Sequence, residues 1–236
     1  MFTKLPNAKI REVRNQALSS FILEKKNVLK GRIMRTVCML YFIRTGRRRV
    51  DLKLKPNVKT IIVIGSGGHT TEMLRLVRHL DSNIFYPRLY MMAASDKTSG
   101  NKIIELETCL EVEEDGWSSN YRIVKIPRSR SVGQSYITSI FTTLYSIFMT
   151  IPRVILENPD LILCNGPGTC IPVCVIAFLM RVFCFSNNVI VFVESVCRVK
   201  SLSLSGKILM YIADEIVVEW MELQSRYPRT KYIGRL

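Results

Sequence analysis

The spacing of apolar positions changes near residue 58. Before it, Phe21, Ile22, Val28, Leu29, Ile33, Val37, Leu40 and Tyr41 recur at helical intervals among Lys and Arg. That spacing predicts one or two basic amphipathic helices over Ser20–Ile43. After it, short runs rich in β-branched residues alternate with longer segments of helical period. TIIVI (60–64), RLYMMA (88–93), RIVKI (122–126), LILC (161–164), VIVFV (189–193) and EIVV (215–218) predict strands. Helices are predicted at about 71–80, 99–107, 132–151, 171–182 and 203–212. Strands alternating with helices build a parallel sheet covered on both faces. The expectation is an α/β, Rossmann-like domain over 58–236 behind a helical extension over 1–57.

Two stretches without charge, 131–152 and 161–180, reach the length of about 20 residues that a membrane-spanning helix needs. Asn165-Gly166-Pro167-Gly168 breaks the second into strand, loop and helix. In the first, Ile137, Ile140, Phe141, Leu144, Tyr145, Phe148 and Ile151 fall at helical spacing among many Ser and Thr. This predicts a helix packed on a sheet or lying in a membrane interface, rather than a span. The run 33–43 is too short to span and contains Arg35. The first 20 residues have no apolar core, so no cleavable signal peptide is expected.

Charge sharpens the division of the chain. Of 34 Lys and Arg, 16 lie in residues 1–60 against 3 acids; residues 61–236 hold 18 against 16 acids. The basic character belongs to the extension, which could meet nucleic acid or the anionic cytoplasmic face of a membrane, or be a solvated basic tail; nucleic acid is not an expected partner of the domain. Seven cysteines are scattered without a CxxC pair, and the chain has two His. A zinc site is not expected. The cysteines are read as small apolar residues in a reducing compartment.

The first predicted strand runs into Gly65-Ser66-Gly67-Gly68-His69-Thr70-Thr71-Glu72. A glycine-rich turn between strand and helix directs backbone N–H groups and the positive helix end at one point, which suits a phosphate. No Gly-Lys-Ser/Thr follows, so it is not a Walker A loop. As a dinucleotide fingerprint it lacks the third glycine, where Thr70 stands, although Asp96 follows the second strand. A purely structural tight turn is the remaining alternative. An imidazole at a helix N-terminus, where the dipole favours the neutral form, can accept a proton from a hydroxyl nucleophile. His69 is therefore a candidate base; the alternative is a His that only bonds neighbouring backbone. Cys164-Asn165-Gly166-Pro167-Gly168-Thr169 repeats the arrangement after the fourth strand. Sites in open α/β sheets lie at the carboxyl ends of the strands, so both turns should open on one edge. Glu194 ends the fifth strand at that edge; it could accept hydrogen bonds from sugar hydroxyls, or cap a helix, or pair with Arg198.

With these loops in order, IGSGGHTTEM, IPRSRSVGQS, LILCNGPGTCIPVCVIA, VESVCRVKSLSLSGKIL and the ending YIGRL resemble the membrane-anchoring subunit of the eukaryotic two-part UDP-N-acetylglucosamine transferase. More distantly they resemble the acceptor-binding half of the bacterial GlcNAc transferase that makes the last peptidoglycan lipid precursor. The resemblance covers roughly 58–236. It implies one half of a GT-B glycosyltransferase, the N-terminal, acceptor-binding type. It implies transfer of the second GlcNAc (β-1,4, inverting) from UDP-GlcNAc to dolichyl-pyrophosphate-GlcNAc at the cytosolic face of the endoplasmic reticulum membrane. A separate catalytic, donor-binding subunit would be the partner, and no cofactor or metal is implied. Gly65, Ser66, Gly67, Gly68, Thr70, Asn165, Gly166, Pro167, Gly168 and Thr169 would face the pyrophosphate and sugar of the lipid-linked acceptor. His69 would be the base for its 4-hydroxyl, and Glu194 would match an acid of the bacterial site. Family members commonly begin with an apolar anchor, whereas this extension is basic. A dinucleotide enzyme and a purely structural anchor are the alternatives.

Overall fold

A computed structural model describes residues 7–45, 55–113, 120–130, 133–166 and 168–235. It divides into two compact units, one ending at Tyr41 and one spanning Phe42–Leu236. Among the described residues of the first lies one helix, α1 (Asn7–Arg44). Its Leu29, Ile33, Val37, Leu40 and Tyr41 follow at helical spacing, as expected, and all are exposed.

In the second unit seven parallel strands form one sheet in the order β3-β2-β1-β4-β5-β6-β7. They are β1 (Thr60–Ile64), β2 (Arg88–Ala93), β3 (Tyr121–Ile126), β4 (Leu161–Asn165), β5 (Val189–Val193), β6 (Glu215–Val218) and β7 (Lys231–Tyr232). Every residue of β1, β2 and β4 is buried. Strands covered on both faces read as unbroken apolar runs, which is why their sequences were conspicuous. The helices between them are α2 (Gly68–Arg78), α3 (Ser99–Glu113), α4 (Tyr136–Glu157), α5 (Cys170–Val182), α6 (Leu204–Leu209) and α7 (Met221–Arg226). One apolar layer sets α5, with Val173, Cys174 and Ala177, against Ile61, Val63, Ile162 and Phe192. The opposite layer packs Met73, Leu74 and Val77 of α2 with Ile103 of α3 on Ile62, Tyr90 and Leu163. The order is Rossmann-like: β1 and β4 are neighbours, Thr60 beside Leu161 and Val63 beside Cys164, although 96 residues separate the end of one from the start of the other. The sheet therefore reverses direction between them, and the loops that leave these two strands open into one crevice.

Two buried ion pairs lie away from that crevice. Arg88 reaches Glu107 at 3.2 Å, and Glu107 also accepts from the Tyr90 hydroxyl. Arg181 donates to Asp214 at 2.6 Å and to the Ile212 carbonyl at 2.7 Å, while Asp214 accepts from the Ile190 amide at 2.8 Å. Cys164, Cys170 and Cys174 are buried, as small apolar residues should be; Cys38, Cys109 and Cys197 are exposed.

Helix α4 has its polarity reversed relative to a core helix. Ser139, Ser146 and Thr150 are buried, whereas Ile137, Ile140, Phe141, Leu144, Tyr145, Phe148 and Met149 are exposed, Phe148 by 72%. The hydroxyls explain the orientation. Ser146 donates to the Pro127 carbonyl at 2.7 Å, and Thr142 and Thr143 donate to Ser129 at 2.5 and 3.3 Å. The polar side is thus bonded to the loop after β3, Ile147, Ile151 and Val154 pack on the core, and the larger apolar side chains face outward. Ile137–Glu157 is long and apolar enough to cross a membrane, by length and composition only.

Candidate active site at the switch point

The two glycine turns meet as the sequence predicts. Gly67 adopts φ +68°, which a side chain disfavours, and this turns the chain from β1 directly into α2. His69 therefore stands in the first turn of α2, two residues earlier than the predicted helix start. Gly65 and Thr70 are buried, while Gly67 and Gly68 are exposed and Ser66 and His69 are partly so. The Thr70 hydroxyl donates to the Gly65 carbonyl and contacts the Ser99 hydroxyl at 2.6 Å. Thr70 thus closes the turn from within, where a dinucleotide loop has glycine.

In the second turn Asn165, Gly166 and Thr169 are buried, Gly168 is half-buried, and Pro167 lies outside the described residues. Gly166 has φ +81°, and a Cβ on it would lie 2.8 Å from His69 Cγ. The imidazole of one loop is seated on the bare backbone of the other. Gly166→Ala is expected to push His69 from this seat and to cost about 1–2 kcal/mol for the left-handed backbone. Denaturant unfolding of the variant would show this modest stability loss.

A third loop closes the group. Ser195 Oγ donates to Glu72 Oε1 at 2.9 Å, Asn165 Nδ2 donates to Glu72 Oε2 at 3.0 Å, and His69 Nδ1 lies 3.2 Å from the same Oε2. Glu72 had no role assigned from sequence. Its partners are 93 and 123 residues away along the chain, and only the fold brings them together. The helical spacing of His69 and Glu72 was the one local signal.

Glu194 is engaged with backbone, including the N-cap residue of α6, Ser203, which fits the helix-capping alternative. It is buried, with Oε1 accepting from the Ser195 amide at 3.1 Å and Oε2 from the Ser203 amide at 2.8 Å. Burial pushes its pKa up, against these amide bonds, which favour the charged form. A Cβ on Gly206 would come within 2.5 Å of Oε2, so this glycine makes room for the carboxylate. In this state Glu194 braces the loop that carries Ser195. Asp96 is similarly occupied. It accepts from the Thr98 and Ser99 amides at 3.0 and 3.1 Å and from the Ser99 hydroxyl at 2.5 Å. Burial raises its pKa, but these bonds outweigh that and hold it below the usual carboxylate value.

Positive charge at the crevice comes from the loop after β3, whose arginines the sequence reading quoted without a role. Arg128 lies 3.4 Å from Ser66 Oγ, and Arg130 donates to the Gln134 carbonyl at 3.0 Å. A Cβ on Gly168 would be 3.6 Å from Arg130 Cβ. Two arginines thus border the two glycine turns.

The fold and this edge define a Rossmann-like α/β protein with two glycine turns paired around a histidine. Residues 60–236 match the model of the family described as Alg14-like oligosaccharide biosynthesis proteins, and the chain belongs to that family. The mouse UDP-N-acetylglucosamine transferase subunit ALG14 is 47% identical over 184 residues, 77% of this chain and 84% of its own length. The human subunit is 44% identical over 191 residues, covering 80% and 88%, and that of Schizosaccharomyces pombe 43% over 201, covering 83% and 92%. Among solved structures, Acinetobacter baumannii MurG aligns with 69% of this chain and 41% of its own at TM-score 0.49 and 12% identity, a likeness too slight to bear on the assignment.

Proposed function

We propose that this chain is the acceptor-binding subunit of a two-part UDP-N-acetylglucosamine transferase. It supplies one GT-B half, and a separate donor-binding subunit supplies the other and holds UDP-GlcNAc. The complex adds the second GlcNAc (β-1,4) to dolichyl-pyrophosphate-GlcNAc at the cytosolic face of the endoplasmic reticulum membrane. The observation that supports this reading is the seating of the His69 imidazole on Gly166, between the two glycine turns.

In the proposed reaction Ser66, Gly67, Gly68, Gly166 and Gly168, with Arg128 and Arg130 beside them, hold the acceptor pyrophosphate through N–H groups and positive charge. His69 Nε2 takes the proton of the acceptor 4-hydroxyl. The freed oxygen attacks the anomeric carbon of GlcNAc, the bond to UDP breaks, and configuration inverts. Neither step needs a group beyond the two substrates and the two chains.

The reversed polarity of α4 supports a membrane-facing role. Its hydroxyl side grips the loop that carries Arg128 and Arg130, and its apolar side is outward, so acyl chains could cover that side while the cradle stays at headgroup depth. The basic extension, residues 1–57, would add electrostatic attraction to the same surface. Phe141→Asp with Phe148→Asp is expected to reduce co-sedimentation with anionic liposomes at least tenfold and leave the unfolding midpoint within about 2 °C, since both side chains are exposed.

The reading is tested by binding. The purified chain, reconstituted in liposomes, is expected to bind a polyprenyl-pyrophosphate-GlcNAc and not UDP-GlcNAc. Binding of UDP-GlcNAc by this chain alone, or failure to bind the acceptor, would contradict it. A dinucleotide enzyme is disfavoured by Thr70 inside the turn and by Asp96, whose carboxylate is already committed to backbone.

A further inference from the structure

Glu72 presents a physical problem. A carboxylate beside a cradle for phosphate repels the ligand, and the repulsion is stronger where water is partly excluded. Its side chain is only 17% exposed. Something must compensate for this placement. The carboxylate gathers one donor from each of three loops: Nδ1 of His69 from the first, Nδ2 of Asn165 from the second, Oγ of Ser195 from the third. A neutral imidazole carries one N–H, and the nitrogen that faces a carboxylate is the one that keeps it. With Nδ1–H given to Glu72, the lone pair is on Nε2, which has no hydrogen-bond partner among the described residues.

We propose that Glu72 is the positioning residue of this site. Its carboxylate fixes His69 as the Nδ1–H tautomer, aims the bare Nε2 at the acceptor hydroxyl, and steadies the imidazolium that forms when that proton arrives. The inference rests on the reading of His69 as the base. Asn165 and Ser195 have a defined part in it. They hold both oxygens of Glu72, Asn165 on Oε2 and Ser195 on Oε1, which resists rotation of the carboxylate away from Nδ1 and toward the phosphates. This is the geometry by which a carboxylate holds an imidazole in one tautomer in acyl-transfer triads, built here from two residues of one helix and braced from two other loops. A glutamine at 72 keeps the size and one acceptor oxygen, but it can present an amide N–H to Nδ1 and so stabilise the wrong tautomer.

The test has two independent readouts. In the complex of the full chain with its donor-binding subunit, Glu72→Gln is expected to lower kcat about 10²-fold while KM for the lipid-linked acceptor moves less than about threefold. The Glu72→Gln/His69→Ala double variant should be no slower than His69→Ala alone, because a residue acting through another adds nothing once that residue is gone. Separately, ¹⁵N NMR of the histidine-labelled wild-type chain should show His69 protonated on Nδ1 and bare on Nε2 near neutral pH. Three results would overturn the proposal: kcat within threefold of wild type in Glu72→Gln, losses that multiply in the double variant, or the Nε2–H tautomer in the wild-type spectrum. If His69→Ala alone leaves turnover unchanged, the base assignment itself is wrong. If His69→Ala abolishes turnover and Glu72→Gln does not, only the role of Glu72 is.

Discussion

Replacing His69 with alanine is expected to cost the assembled transferase about 10²–10⁴-fold in kcat, the usual contribution of a positioned general base. The loss should fall on kcat rather than on acceptor KM. The pyrophosphate contacts proposed for the two turns come mostly from backbone, which the substitution leaves in place. Folding should survive. His69 is partly exposed, its one side-chain hydrogen bond among the described residues is to Glu72, and Ala is a good helix former. The comparison also separates a catalytic half from a mere anchor. An anchor that only recruits its partner would keep wild-type turnover in His69→Ala, and acceptor binding would be unchanged in either case.

The second large effect is on stability. Asp214→Ala should destabilise the chain by about 3–5 kcal/mol, because it strands the Arg181 guanidinium inside the protein. Both side chains are at most 2% exposed. Asp214 also accepts the Ile190 amide at the start of β5, so its removal leaves a strand N–H without its acceptor. The arginine is tied to the Ile212 carbonyl as well, which keeps it from swinging to solvent. Urea unfolding of the purified chain would measure the loss as a fall in midpoint at unchanged slope. Pairing the change with Arg181→Met should recover much of it, since removing both charges leaves no uncompensated ion. A loss below 1 kcal/mol for the single variant would mean that Arg181 reaches water after all.

The sheet was the most legible part of the molecule. β1, β2, β5 and β6 begin and end where their apolar runs do, and β3 and β4 differ by one residue, because burial leaves little choice of residue within them. Helix ends were less legible, since caps and tertiary contacts set them. α2 starts at Gly68 because Gly67 turns the chain early, and α6 starts at Leu204 because the Ser203 hydroxyl accepts from the Gly206 amide at 3.0 Å. α3 runs on to Glu113, six residues past its predicted end, and α1 begins at Asn7 rather than Ser20. α7 and the two-residue β7 carried too little pattern to be expected. In the site, the glycine turns and His69 could be read from a local strand–turn–helix pattern. Glu72 could not, because its partners belong to distant loops. Nor could the inward turn of Glu194, which depends on the space above Gly206. The helical period of α4 was visible, and the sequence left open whether its apolar side meets the sheet or an interface. Hydroxyl bonds to Pro127 and Ser129 decide that the polar side faces inward.

The central claim is that this chain is half of an active site. The direct measurement is GlcNAc transfer from UDP-GlcNAc to polyprenyl-pyrophosphate-GlcNAc in liposomes, with this chain alone, with the donor-binding subunit alone, and with both. The account predicts transfer only when both are present. Transfer by either chain alone, or none from a verified complex of the two, would contradict it.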